Sequence, residues 1–286
     1  MKRYALIIGF VSTVMGVGTH ATAGPGNVRF TKHNLSNNMD VSKGLPIGAG
    51  ADQRRIYSLE VDQECIFCHT PHNAQPVMPL WNKAMPNQTF NLYTSSRSLT
   101  PTARSASLPA GSVSLLCLSC HDGKTAINVL HNASQISSMA DNGIDKIVDI
   151  GGDYDNAMGG FPSPPTGGIS LGIFGGFGEY PSNMGKTDGD DFAGNNLADD
   201  HPIGFSYTAA QGESNDRLRL PEDVNTMSSG KIRFFSPNNS VECSSCHDPH
   251  VNYTVGAGTP AGDPALKPFL VMSNVGSAMC LACHNK

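Results

Sequence analysis

The chain has 286 residues, of which 39% are hydrophobic and 15% are charged, with 24 acidic against 19 basic side chains. The charged fraction is well below the roughly 25% of an average soluble domain, and the lack of a basic excess argues against a nucleic-acid partner. No apolar run reaches the roughly 18 residues of a transmembrane helix, so we expect no membrane span. The 31 glycines and 19 prolines fit either a disordered chain or a chain whose core is supplied by a bound group.

Residues 1–23 have the pattern of a secretory signal peptide. Two basic residues follow the initial methionine, an apolar stretch runs over residues 4–17, and a small-x-small cleavage site ends at Ala23. A buried N-terminal helix is the alternative interpretation. The first cysteine is Cys65, so no cysteine at the predicted mature N-terminus is present to carry a lipid. We expect an exported protein that is extracellular or at the cell surface, or alternatively periplasmic.

All eight cysteines fall in four C-x-x-C-H motifs, which we number one to four in chain order. The motifs are Cys65-Ile-Phe-Cys68-His69, Cys117-Leu-Ser-Cys120-His121, Cys243-Ser-Ser-Cys246-His247 and Cys280-Leu-Ala-Cys283-His284. This spacing is the attachment signature of c-type haem. The two thiols bond covalently to one porphyrin, and the adjacent histidine becomes the proximal ligand of its iron. The sequence predicts four covalently bound c-type haems and no disulfide.

Zinc sites and redox dithiols also use paired cysteines. Two motifs could pool the four N/S ligands of a structural zinc ion, but such a site does not require a histidine directly after the second cysteine. A thioredoxin-like dithiol lies in a βαβ unit, and no such pattern surrounds these motifs. The histidine that recurs in all four motifs therefore favours haem.

The sixth coordination position of each iron decides between an electron carrier and an enzyme, because an open position can bind a substrate. Five histidines remain outside the signal and the motifs, and four of them form a repeat. His33 precedes motif one and His72 follows it, just as His201 precedes motif three and His250 follows it. We expect these four to be distal ligands, which predicts low-potential bis-histidine haems. His131 has no counterpart and is left as the spare.

His72 and His250 each lie three residues after a proximal histidine, in Cys-His-x-Pro-His. A residue so close in sequence stays on the proximal side of its own haem and cannot reach the opposite face. If either histidine binds iron, it binds the iron of a neighbouring haem. The short tether would then hold two haems in near contact, as fast electron tunnelling requires. A surface histidine in a proline turn is the alternative.

We predict a chain of mostly coil with short helices and very little sheet, a multihaem cytochrome c organised around a haem stack. Helical patterns are confined to Ser112–Leu130 and Val275–His284, and each carries one motif. Porphyrins would supply the apolar core that the side chains lack. The predicted organisation is a signal peptide at 1–23, a first dihaem half at 24–150, a Gly-rich insert at 151–196 and a second dihaem half at 197–286.

The doubled arrangement resembles multihaem cytochromes with paired C-x-x-C-H motifs. Beside the motifs, Lys32-His33-Asn34-Leu35-Ser36 and Asp200-His201-Pro202-Ile203-Gly204-Phe205 carry the resemblance, together with the Cys-His-x-Pro-His extension. Within that group the chain looks most like the tetrahaem outer-surface cytochromes of the OmcE type, which polymerise into conducting filaments. The resemblance implies bis-histidine haems in alternating stacked and T-shaped pairs. It also implies a ligand shared between subunits, for which His33 is the expected candidate unless it folds back onto its own chain.

These patterns together predict an electron carrier and not an enzyme. The expected partners are other redox proteins or extracellular electron acceptors, with self-association into filaments. A discrete periplasmic or surface shuttle is the alternative. A multihaem oxidoreductase fits less well, because the histidine count fills every iron.

Overall fold

The secondary structure is sparse and its elements are short. The computed structural model describes residues 28–37, 56–58, 61–72, 74, 80–122, 125, 127–132, 146–148, 150–152, 195–253 and 262–285. Within these residues the α-helices are α1 Pro101–Arg104, α2 Ser114–His121, α3 Tyr207–Glu213, α4 Pro221–Met227, α5 Cys243–Cys246 and α6 Ala278–Cys283. Single 3₁₀ turns occur at Val28–Phe30, Pro264–Leu266 and Val275–Ser277. The prediction of mostly coil with short helices is confirmed.

The strands contain two or three residues each and form isolated pairs. They are β1 Ile56–Ser58, β2 Asn91–Leu92, β3 Val129–Leu130, β4 Lys146–Ile147, β5 Ile150–Gly152, β6 Asn196–Leu197, β7 Phe205–Ser206 and β8 Ser240–Val241. The pairs β1–β5, β3–β4 and β7–β8 are antiparallel, whereas β2–β6 is parallel. Within the described residues no sheet has more than two strands, which agrees with the prediction of very little sheet.

Strands β5 and β6 flank the predicted Gly-rich insert. Both strands pair with earlier segments, β5 with β1 and β6 with β2. The chain therefore leaves and re-enters the described structure beside the first predicted half. Most of the insert, residues 153–194, lies outside the described residues, as does the predicted signal peptide.

Both predicted helices are shorter than expected, for local reasons. The Asp122 carboxylate accepts hydrogen bonds from the N–H and the hydroxyl of Thr125, both at 2.7 Å. This Asx turn competes with the helix, so α2 ends at His121 and β3 occupies the end of the expected span. At the other site, Gly276 and Ser277 have positive φ angles of 64° and 63°, which separate a 3₁₀ turn from α6.

Helices α3 and α4 were not predicted, although both carry start signals. The Ser206 side chain accepts a hydrogen bond from the N–H of Ala209 and caps α3. Pro221 occupies the first turn of α4, where its missing N–H costs nothing, and Glu222 and Asp223 complement the helix dipole there. Within the described residues no helix is long and apolar enough to cross a membrane.

The buried apolar side chains form small clusters, and two of these include residues from inside a motif. One cluster contains Ile66 and Phe67 of motif one, which pack with Val61, Leu130 and Val148. A second contains Ala282 of motif four and lies under α3 and α4. A third is built from Val251, Tyr253 and Leu266. The two intervening residues of a motif can therefore anchor it while the cysteines stay at the cluster edge.

Candidate haem-binding sites

Motifs one, three and four share one local structure. A turn begins at the first cysteine, and the histidine N–H donates to the carbonyl of that cysteine at 2.8 Å for His69, 3.0 Å for His247 and 2.9 Å for His284. Residues i and i+3 are neighbours on one side of such a turn, so both cysteines of a motif serve the same face. Each histidine then forms an antiparallel bridge with a distant segment, which fixes its backbone. The bridges are His69–Trp81, His247–Leu270 and Leu218–His284.

Motif two is held differently, within the last turns of α2. Cys117, Cys120 and His121 all belong to this helix. The indole N–H of Trp81 donates to the hydroxyl of Ser119 at 3.1 Å. Since Trp81 also bridges His69, this contact places motif two beside motif one.

All eight cysteines are free thiols, and Cys68 of motif one lies near Cys120 of motif two. Burial raises the pKa of the Cys68 thiol to about 12, and the nearby Cys120 adds to the shift. Burial also raises the pKa of Cys120. These thiols are therefore protonated at neutral pH in the chain alone.

Motif three contacts both of its sequence neighbours. The neighbouring thiols of Cys117 and Cys243 interact, which raises the pKa of Cys117 and lowers that of Cys243. Burial raises the pKa of Cys283 to about 12, with Cys246 as the next contributor. The motifs thus follow one another in space in the order of the sequence.

Three of the four motif histidines face a predicted distal histidine. The pairs of ring centres are His33–His121 at 6.0 Å, His69–His250 at 6.4 Å and His201–His284 at 6.3 Å. Two imidazoles that share one metal ion through bonds of about 2 Å have centres roughly 6 Å apart. The histidine pairs therefore have the spacing that an iron ion bound between them requires.

Hydrogen bonds at Nδ1 orient three of the candidate ligands. The Nδ1–H groups donate from His201 to the carbonyl of Pro202 at 2.9 Å, from His247 to the carbonyl of Pro268 at 2.9 Å and from His250 to the carboxylate of Asp248 at 2.7 Å. Such a bond selects the tautomer whose Nε2 lone pair is available to a metal, and it fixes the ring direction.

His33 is held as a neutral imidazole inside its own chain. Its ring centre lies 4.4 Å from that of Phe269. Burial, followed by the nearby His121, lowers the pKa of His33 to about 3. Its Nδ1 atom is buried and makes no hydrogen bond within the described part of the chain. The backbone of Pro249 offsets part of the pKa shift. A neutral imidazole with an unused nitrogen suits a metal ligand.

The remaining histidines are not brought together in this way. Both His72 and His247 have exposed side chains, and within the described residues neither ring faces another histidine ring. The carbonyl of His72 accepts hydrogen bonds from Thr70 and Asn132. The N–H of His131 donates to the carbonyl of Asn82 at 3.1 Å.

One of the three histidine pairs crosses between the predicted halves. His69 belongs to the first half, but the histidine that faces it is His250 of the second half. His250 faces the proximal histidine of a neighbouring motif and not that of its own, His247. The other two pairs, His33–His121 and His201–His284, each lie within one half.

Among the described residues, the candidate ligand side chains lie together in pairs and not in groups of four. The described residues include every cysteine and every candidate histidine, yet no three histidine, cysteine or acidic side chains among them gather as a metal site. A pooled zinc site would require four convergent ligands. The arrangement fits haem iron, whose remaining ligands come from the porphyrin. The haem-holding residues would be the four cysteine pairs and the facing histidines.

Several supporting residues could not be identified from sequence patterns. Asp248 lies inside the Cys-His-x-Pro-His extension, so its position two residues before His250 was the one local signal. Phe269 and the carbonyl of Pro268 reach their histidines only through the fold. Glu242 and Lys83 are buried beside the motifs, and nothing in their sequence context marks them.

A scan against protein-family models finds no match to this chain. A search of curated proteins finds no match either.

Proposed function

We propose that this protein is an exported tetrahaem c-type cytochrome that carries electrons. The observation that supports the proposal most strongly is the set of three histidine pairs with ring centres 6.0, 6.3 and 6.4 Å apart. Each pair combines a motif histidine with a histidine that the sequence repeat marks as distal. Haem iron with two histidine ligands exchanges one electron and leaves no position for a substrate. This is why a carrier is favoured over an oxidoreductase.

We assign His72 to the iron that His247 holds. In the His69–His250 pair, the histidine that follows motif three faces the histidine of motif one. The assignment exchanges the two motifs, so that the histidine that follows motif one, His72, would bind the iron of motif three. His72 is the histidine of the repeat that remains, and His247 is the motif histidine that remains. With this fourth pair, every iron has two histidine ligands and His131 has no role in coordination.

We also propose that the subunits assemble into an extracellular filament. The resemblance to filament-forming cytochromes supports assembly, and so does the exposure of both His72 and His247. His33 faces His121 of its own chain, which favours the alternative that it is not the shared ligand. If one subunit completes an iron of the next, His72 and His247 are the positions at which it does so. A head-to-tail contact that does not close produces an open filament.

Intact mass and the optical spectrum test the carrier proposal. The mature protein, produced with a c-type haem attachment system, is expected to carry four haems and to show a low-spin spectrum in the ferric state. Two or three haems, or one high-spin haem in four, would contradict it. The high-spin result would instead favour an enzyme with an open iron.

The His72→Ala variant separates the filament from the discrete shuttle. Native mass and electron microscopy of parent and variant are compared, with His131→Ala as the matched control. A filamentous parent and a monomeric, haem-loaded His72→Ala protein with one high-spin haem support the shared ligand. A monomeric parent supports the shuttle, and a variant with normal filaments shows that assembly does not depend on His72.

A further inference from the structure

Lys83 is a fully buried cation next to motifs one and two. Its side chain is 1% exposed, and its ammonium donates to the carbonyls of Ile127 and Val129, the latter at 3.0 Å. The ammonium lies 6.0 Å from the centre of the Phe67 ring, inside motif one. The residue before it, Asn82, donates to the carbonyl of Cys68 at 2.9 Å, so the backbone here is fixed to the motif.

The charge of Lys83 acts on the cysteines of both motifs. It lowers the pKa of the Cys68 thiol and that of the Cys120 thiol against the effect of burial. The Asp122 carboxylate also acts on Cys120, in the opposite direction. Motif one is therefore next to a positive charge, whereas motif two is next to one charge of each sign.

Motif three is next to negative charges. Glu242, which directly precedes Cys243, is 5% exposed. Its carboxylate accepts hydrogen bonds from the hydroxyl of Ser112 at 2.7 Å, from the N–H of Ser114 at 3.1 Å and from the Ser114 hydroxyl. Both Glu242 and Asp200 act electrostatically on Cys243. Buried charges interact strongly because the protein interior screens them less than water does.

We propose that Lys83 raises the reduction potential of the haem of motif one and that Glu242 lowers that of the haem of motif three. The Asp248 carboxylate, which holds the His250 ring opposite His69, acts against Lys83 at motif one. This inference rests on the proposed function. Reduction adds one negative charge to a haem, so a nearby cation favours the ferrous state and a nearby carboxylate favours the ferric state. The sign at Lys83 does not depend on any counter-ion, because removing a cation always disfavours reduction.

Spectroelectrochemical titration of the haem-loaded protein tests both shifts in reduction potential. We expect Lys83→Met and Lys83→Gln to lower the potential of one or two of the four haems. The expected change is about tenfold in the ferrous-to-ferric ratio at a fixed applied potential, which is about 59 mV for one electron. Lys83→Arg keeps the charge and is expected to stay near the parent. Glu242→Gln is expected to shift one or two haems in the opposite direction.

Exposed charges provide the matched controls. Lys231→Met and Glu222→Gln remove the same charges from exposed side chains, and water screens them, so we expect no shift. Unchanged potentials in both haem-loaded Lys83 variants, or shifts of the same sign for Lys83→Met and Glu242→Gln, would overturn the proposal. Should the Lys83 variants lose haem, the direction of the Glu242→Gln shift decides. A parent without four haems by intact mass would contradict the proposed function itself, which separates the two failures.

Discussion

The ring orientations of His250 and His33 depend on neighbouring side chains. Asp248 accepts the Nδ1–H of His250, and the contact raises the pKa of His250 and lowers that of Asp248. His33 depends instead on burial against Phe269. A charge-assisted hydrogen bond therefore orients His250, whereas packing orients His33. We therefore expect different results from replacing His33 and from replacing the partner of His250: a change of spin state in the first case and a change of reduction potential in the second.

His33→Ala is expected to convert one haem in four from low spin to high spin. The iron held by His121 would lose the imidazole whose ring centre lies 6.0 Å away. The ferric absorption spectrum and spin quantification by electron paramagnetic resonance measure this. His131→Ala is the control and is expected to stay low-spin. A fully low-spin His33→Ala protein would show that His33 is not a ligand.

Asp248→Asn is expected to raise the potential of one haem, the one whose iron His250 binds. A carboxylate that accepts the Nδ1–H makes the imidazole a better donor to ferric iron, and the amide does so less. We expect a change of up to about tenfold in the ferrous-to-ferric ratio, about 59 mV, in a redox titration. Asp216→Asn, at an exposed position, is the control. A lowered potential would be inconsistent with the assigned role.

At the scale of elements, the motifs could be predicted but their neighbours could not. The two expected helices exist because the motifs and their flanks contain helix-forming residues, yet both end early at turns that depend on Asp122 and on Gly276. The bridge partners Trp81 and Leu270 are separated in sequence from the histidines that they hold. Local patterns therefore identify the candidate haem-binding residues, whereas long-range pairing decides which histidine faces which.

Helices α1 and α3 are joined by one carboxylate, which predicts a pH dependence. Glu213 accepts hydrogen bonds from the N–H of Thr102 at 2.8 Å and from its hydroxyl at 2.7 Å. These bonds lower the pKa of Glu213 from 4.5. A lowered folded-state pKa stabilises the fold above the ordinary value, and the contribution is lost as the pH falls through the folded pKa.

Thermal unfolding of Glu213→Gln against the parent checks this dependence. We expect the variant to unfold at a lower temperature at pH 7, and the difference to shrink as the pH falls below about 4.5. Asp216→Asn is the control, because Asp216 is exposed and lies outside the helices. A difference in unfolding temperature between parent and variant that stays constant with pH would contradict the role of the ionised Glu213 carboxylate.

At the scale of the whole molecule, the described residues contain no single side-chain core that joins the motifs. The largest of the described apolar clusters has six buried members. Contacts between the predicted halves include the thiols Cys117–Cys243, the rings His69–His250 and the hydrogen bonds of Glu213 to Thr102. Composition favours either a disordered chain or one whose core a bound group supplies, because glycine and proline are abundant and the charged fraction is low. It could not predict that the halves interlock, since that depends on contacts across the insert.

The haem-free chain is therefore expected to lose its cooperative fold. Protein made without the haem attachment system should be cut by protease at least tenfold faster than the haem-loaded protein, because clusters this small bury too little apolar surface to offset chain entropy. Limited proteolysis measures this. Equal resistance of the two forms would mean that the side chains alone define the fold.

A density map of the haem-loaded protein tests the central claim most directly. We expect four irons. Three of them should lie between the rings of the pairs His33–His121, His69–His250 and His201–His284. The fourth should be bound by His247, with His72 opposite. The eight cysteine sulfurs are each expected to continue into porphyrin density. A disulfide among the cysteines, or an iron that lacks a second histidine, would contradict the claim.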